Sequence, residues 1–298
     1  MTTILVWGQS PFAKRVAHYI QTYGEFRDLK PRFAVFEDRP DDMDVITKAL
    51  HTEYTNESGT SRPEYVINAW ESPSITACEN DPTRAFADNT RTAARLALAC
   101  RGAGVKLIHI STVHVFGRTS TKRIDVDERP RPSSVYGMTK WQAERTVMSM
   151  NPDATIIRYN PWFSPSGWPE GIRDVPGESA YTIEAAEDIG SVPQFEGEAA
   201  FLLVRNLLES PILLTSGIVH CASAIDPESY WQYLKDHANV TVKPFTYNDA
   251  RGALPSGRPS LGVVALEPTK GWHLSNDPRK HWTEHLAERE SGKYIEYF

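Results

Sequence analysis

Ile4-Leu5-Val6-Trp7-Gly8-Gln9-Ser10-Pro11-Phe12-Ala13-Lys14 opens the chain with an apolar run, a glycine and the start of an amphipathic segment. Four apolar residues in a row read as a buried strand. Residues 13–23, with Val16, Ala17 and Ile20 on one face and Gly24 behind them, predict a helix closed by that glycine. Ser10 as N-cap with Pro11 in the first turn is a sound helix start. In α/β folds a strand, a tight glycine turn and a helix together seat the phosphates of a dinucleotide. Here only the first glycine, Gly8, is present. Pro11 removes a backbone N–H and adds bulk. Lys14 and Arg15 are candidates to supply charge in place of amides.

The same alternation continues outward. Strands are expected at 33–36, 65–67, 105–110 and 155–157, with helices at 84–100 and 135–150 between them. Strands alternating with helices mean crossover connections and a parallel sheet. Beyond about Asn160 a stretch rich in Pro, Gly, Ser and Trp reads as loop. Helices are then expected at 199–208 and 227–237, flanking a strand at 217–221. Asp226-Pro227 and Asp277-Pro278 each read as an N-cap followed by a first-turn proline. The expected architecture is α/β: a Rossmann-like doubly wound parallel sheet with a smaller C-terminal substrate lobe. The dinucleotide-binding domain is expected over 1–158 with roughly 199–223, and the substrate-binding lobe over 159–198 and 224–298. Ligands of such a sheet bind at the carboxyl ends of its strands, where a second lobe would close over them.

Of 298 residues, 40% are hydrophobic and 23% charged, a globular composition. A net charge of -6 argues against a duty on bulk nucleic acid, which needs a basic footprint. Cys78, Cys100 and Cys221 are too few for a disulfide scaffold and match no zinc spacing, so a reducing cytoplasm is expected. The N-terminus has no basic region before an apolar stretch, and no run approaches the roughly 20 residues of a bilayer span. No membrane partner is therefore expected.

Glu37 and Asp38 end the second strand at the offset where an acid meets the adenosine ribose. Arg39 beside them could tolerate a 2′-phosphate, which leaves NADH and NADPH both open. Trp70, after Asn68-Ala69 at another strand end, could wall an adenine pocket, stack on the base or fill the space. Strand 105–110 runs into Ser111-Thr112, and Tyr136 and Lys140 fall on one face of the helix that follows. A phenol has a pKa of about 10. A cation within about 4–6 Å lowers it. Such a phenol can exchange a proton with an oxygen while a nicotinamide exchanges hydride with the adjoining carbon. Thr112 could hold a substrate carbonyl oxygen.

The runs Val66-Ile67-Asn68-Ala69, Ala77-Cys78-Glu79-Asn80-Asp81-Pro82 and Ala87-Asp88-Asn89 resemble the extended short-chain dehydrogenase/reductases, most of all the dTDP-4-dehydrorhamnose reductase group. Leu107 to Thr112 followed by Val115-Phe116, Ser133 to Lys140, Asp188-Ile189-Gly190-Ser191 and Arg258-Pro259 are similar to the same group, at matching order over most of the chain. The resemblance implies an NAD(P)H-dependent reductase of a keto group on a nucleotide-linked sugar, with Thr112, Tyr136 and Lys140 as the triad. Tyr136 would be the proton donor, Lys140 its modulator and ribose contact, and Thr112 the carbonyl partner. Cofactor contacts are expected from Gly8, Ser10, Pro11, Phe12, Glu37, Asp38, Asn68, Ala69, Trp70 and Asn89 as well. Substrate contacts are expected from Val113, His114, Trp162 and Arg258. Two glycines of the family's turn are missing. Val113-His114 replaces the Asp-Tyr usual after the threonine, and it cannot supply the Asp-Glu pair of related dehydratases. The alternatives are a non-catalytic member resembling the regulatory subunit of methionine adenosyltransferase, and a nucleotide-sugar epimerase with His114 as an extra acid/base. A homodimer is a further expectation.

His281-Trp282-Thr283-Glu284-His285 fits the H-x-x-E-H pattern of an inverted zinc peptidase. Arg279, Lys280, Glu288, Arg289 and Glu290 around it read as a solvated surface, and no metal is expected. Arg158 reads as structural.

Overall fold

The structure, a computed structural model, describes residues 2–56, 59–72, 74–117, 123–164, 168–169, 171–175, 177, 182–192, 194–238, 240–247 and 264–297. Its centre is a sheet of β1 (Thr3–Trp7), β2 (Arg32–Phe36), β3 (Tyr65–Asn68), β4 (Lys106–Thr112), β5 (Thr155–Tyr159) and β6 (Gly217–Cys221). All pairs are parallel, in the order β6-β5-β4-β3-β1-β2. Alternate side chains point to opposite faces of a strand, and here both faces are covered. Ile4, Val6, Ile67 and Ile108 pack under α1 (Pro11–Phe26) and α5 (Glu196–Glu209). Leu5, Trp7, Val66, Leu107 and Ile156 pack under α2 (Met43–His51), α3 (Thr92–Ala103) and α4 (Val135–Met150). No described helix is long and apolar enough to cross a membrane.

The chain winds from β1 to β2 on one side and returns to β3 on the other, so β1 and β3 flank the point where strand order reverses. There Gly8 lies so close to the next strand end that a Cβ would stand 2.7 Å from the Ala69 carbonyl oxygen. That contact accounts for the one glycine that the turn retains.

Several elements differ from expectation for local reasons. Helix α1 continues through Gly24 to Phe26, because Gly24 makes room for Pro31, whose Cδ would meet a Cβ at 2.5 Å, rather than ending the helix. The helix expected over 84–100 runs unbroken from residue 82 to 103 but carries a π turn at Ala87–Arg91 before α3, and Gly104 closes it in the left-handed region. Asp226 does not cap the next helix. Glu228–Ser229 first pairs with Gly190–Ser191, and Ser229 accepts the Gln232 N–H at the start of α6 (Tyr230–His237). Asp277 does cap α7 (Pro278–Ser291).

Strands Ile172–Asp174, Thr182–Ala186 and Thr241–Phe245 form a separate sheet. Its apolar cluster includes Phe163, Ile183, Leu234 and Trp282. Helix α7 is not the solvated surface its charges suggest. His281, His285 and Glu288 are buried, and Arg279 and Arg289 are exposed. Arg15 reaches across from α1 to pair with Glu288 at 2.6 Å. This removes Arg15 from any role at the turn beside Gly8.

Candidate active site

A cleft of about 870 Å³ runs along the carboxyl ends of the strands, from the α1 N-terminus to the start of α4. Ser10, Pro11, Phe12, Ala69, Trp70, Thr112, His114, Tyr136 and Trp162 all line it. Sequence alone placed each of these at the site. The wall opposite the sheet includes Ser164, Trp168 and Glu196.

At the α1 end, the Ser10 hydroxyl accepts the Ala13 N–H at 3.2 Å, and the Phe12 ring stacks on Trp162 at 4.7 Å. The helix dipole still points into the cleft, but with Pro11 in the first turn it offers fewer free N–H groups. Glu37 and Asp38 are exposed beyond β2 and are not among the cleft-lining residues. Arg39 is committed to Asp88 (3.0 Å) and Asp41 (2.5 Å). Asn68 and Asn89 are buried below the cleft as braces. Asn68 Oδ1 accepts the Trp70 N–H at 3.2 Å, and its amide meets His109 Nδ1 at 3.0 Å. Asn89 Oδ1 accepts the Ser72 N–H at 2.7 Å, and its amide donates to Thr139 on α4 at 2.8 Å. Val113 is fully buried in a separate cluster and does not line the cleft. Arg258 lies outside the described residues.

At the other end, Ser134 caps α4 by accepting the Gly137 N–H. Gly137 lets that helix press on the turn after β4: a Cβ there would meet the His114 carbonyl oxygen at 2.1 Å. This approach sets Tyr136 on the same cleft wall as Thr112. Lys140 is buried and donates to the Ile110 carbonyl at 2.6 Å. His114 packs edge-on against Tyr136 with ring centroids 5.7 Å apart. Burial pulls its pKa down to about 4, so it is neutral near pH 7. Glu144 anchors the floor, accepting from Ser111 (2.6 Å) and twice from Arg158 (2.8 and 2.7 Å). Arg158 is thus structural, as its place in the sequence suggests.

Glu71 escapes sequence reasoning. Tyr136 Oη donates to Glu71 Oε2 at 3.0 Å, and Lys140 Nζ stands 3.5 Å from the same oxygen. The expected lowering of the phenol's pKa by Lys140 is therefore reversed. Burial first, then the Glu71 carboxylate, hold Tyr136 well above its ordinary range. No local signal marks Glu71, because the contact joins residues 65 apart in sequence.

The H-x-x-E-H pattern does not gather at one point. Among the described residues, Glu198, His281 and Glu284 bring ligand atoms within 4.8 Å of one another. Lys280 already places its ammonium 3.1 Å from Glu198 and 3.7 Å from Glu284. His285 packs instead on Trp168 at 4.7 Å.

The RmlD substrate binding domain family matches residues 39–168. A dTDP-4-dehydrorhamnose reductase of Sinorhizobium fredii is 34% identical over 229 residues, 72% of this chain and 77% of that protein. The chain belongs to the dTDP-4-dehydrorhamnose reductase family. Another member, from Mycolicibacterium smegmatis, is 28% identical over 234 residues, 76% of this chain and 69% of its own length. The dTDP-4-dehydrorhamnose reductase of Bacillus anthracis, solved in complex with NADP, superposes with a TM-score of 0.74 at 16% identity, covering 95% of this chain and 99% of that one. The Clostridium acetobutylicum protein superposes at 0.73 and 17%, covering 97% and 100%.

Proposed function

We propose that the protein reduces a keto group on a nucleotide-linked sugar at the expense of a dihydronicotinamide cofactor, NADPH or NADH. The observation that carries this reading is that Thr112 and Tyr136 line one cleft, with Lys140 buried behind it 3.5 Å from the cleft-lining Glu71. The cleft suits such a cofactor in size and in one orphaned group. Trp70 Nε1 is buried against it with no hydrogen-bond partner among the described residues, a donor placed for a ligand's acceptor. Ser10, Phe12, Ala69 and Trp70 would hold the cofactor, which supplies the hydride.

The chain's own part is proton transfer and orientation. Thr112 and the Tyr136 hydroxyl fix the substrate carbonyl oxygen. Tyr136, held as a phenol, donates its proton as negative charge develops on that oxygen. Lys140, anchored on Ile110, stabilises that charge from behind. Tyr136→Phe keeps the ring and its packing but has no proton to give. It is expected to lower turnover by about 10²–10⁴-fold with an unchanged circular dichroism spectrum. Undiminished turnover in that variant would remove Tyr136 from its role.

A further inference from the structure

The carboxylate of Glu71 is placed too deliberately to be a solvated loop acid. The amides on either side of it, Trp70 N–H and Ser72 N–H, are each held by a buried asparagine, Asn68 and Asn89. Asn89 also ties this loop to Thr139 on the helix that carries Tyr136 and Lys140. The Glu71 side chain is 27% exposed and lines the cleft. One of its oxygens takes the Tyr136 hydrogen bond and lies 3.5 Å from the Lys140 ammonium. The Lys140 charge is thereby balanced locally. A phenolate formed at Tyr136 would face a carboxylate oxygen 3.0 Å away, and two anions that close repel strongly.

We propose that Glu71 is a positioning residue of this site, holding the proton on Tyr136 so that the site is set to donate a proton rather than abstract one. The proposal rests on the reductase reading and deepens it. In the reaction, the substrate carbon takes hydride from the dihydronicotinamide. The Tyr136 O–H bond breaks and its proton goes to the carbonyl oxygen. A proton reaching Glu71 from solvent then passes to the Tyr136 oxygen and leaves the carboxylate as it began. Ketone, dihydronicotinamide and one proton become alcohol and nicotinamide cation. The other groups facing this pair are Thr112, His114 and Cys78 beside Tyr136, with Lys140 next to Glu71 and Glu196 also on the cleft wall. His114 is neutral and burial pushes the Cys78 thiol up, so the carboxylate in contact with the phenol is that of Glu71, with the Lys140 ammonium 3.5 Å from the same oxygen.

The test needs no cofactor. Tyrosinate absorbance is titrated with pH in the wild-type protein and in Glu71→Gln, each with its own Tyr136→Phe counterpart subtracted so that only Tyr136 is read. Glu71→Gln keeps a hydrogen-bond acceptor and removes the charge. The Tyr136 midpoint is expected to fall by at least about one pH unit, a tenfold change in proton affinity. The high-pH limb of ketone reduction should move down with it. An unchanged or raised midpoint overturns the proposal. Should Glu71→Gln fail to fold, Glu71→Asp, which withdraws the charge by one methylene, is expected to shift the midpoint the same way by less, and no shift there overturns it equally. A lowered midpoint in a protein that reduces no nucleotide-linked ketosugar would retire the reductase reading and keep Glu71's hold on the phenol. Reduction without any shift would do the reverse.

Discussion

Glu196 stands in the first turn of α5 with a side chain 2% exposed, 2.7 Å from the Ser164 hydroxyl that donates to it and 3.8 Å from Arg15. Burial outweighs both partners and pushes its carboxyl up to about 7, from 4.5 in an unfolded chain. Between those values the folded state holds the proton that the unfolded state has released. The contribution of Glu196 to stability is therefore lost as pH rises from about 4.5 to about 7, on the order of 3 kcal/mol. Glu196→Gln should remove this dependence: its melting temperature, relative to wild type, should climb across that window. A constant difference between the two proteins would contradict the buried, protonated carboxyl. The sequence shows Glu196 only as an acid near a helix start. Its burial depends on Trp162-Phe163 pairing with Gln194-Phe195, which no local pattern announces. Thr112, Tyr136 and Lys140 are legible because spacing on one strand end and one helix face fixes them. Glu71 is not, because its partner lies on another element.

Helix α4 carries the site, and its approach to β4 depends on Gly137. Gly137→Ala would drive a methyl group into the His114 carbonyl oxygen, a backbone atom that cannot swing aside. Overpacking of this kind costs about 1–3 kcal/mol. A denaturant titration should show that loss, and turnover should fall with it, because Tyr136 is the preceding residue. Stability within about 0.5 kcal/mol of wild type would mean that α4 can retreat without consequence. At this scale the six strands of the central sheet were legible to within about two residues, since buried parallel strands are continuous apolar runs, whereas Ile172–Asp174, Thr182–Ala186 and Thr241–Phe245 were not. Helix ends were less so. Gly24 sits inside α1 because Pro31 packs over it, and Glu228–Ser229 pairs as a strand before α6 begins. Both are tertiary contacts overriding local signals. The charged face of α7 misled for the same reason, since Arg15 arrives from α1 to neutralise Glu288.

Taken whole, the molecule is a strand-end cleft between a doubly wound sheet and a second set of elements whose wall includes Trp162, Ser164 and Glu196. The alternation of periods along the first half made the sheet legible. Of the cleft's far wall only Trp162 was, because its chain is irregular and its packing is aromatic: Phe12 on Trp162, and Trp168 on Trp282 at 5.8 Å. A ligand bound between the two walls should hold them together. At a concentration a hundredfold above its dissociation constant, NADPH should add about 2.7 kcal/mol to unfolding, read as a rise in melting temperature. Trp70→Phe, which keeps an aromatic ring and deletes the orphaned N–H, should lessen that rise. An equal rise in both proteins would separate Trp70 Nε1 from the ligand.

The most direct measurement follows the hydride itself. The protein is incubated with a dTDP-linked keto-deoxysugar and dihydronicotinamide cofactor deuterated at its transferring carbon, and the sugar product is weighed by mass spectrometry. One deuterium, carried as deuteride to the carbinol carbon, should appear in the alcohol made by the wild-type protein, and next to none with Tyr136→Phe. An unlabelled sugar from wild type, or equal labelling from both proteins, would contradict a phenol-assisted reduction at this cleft.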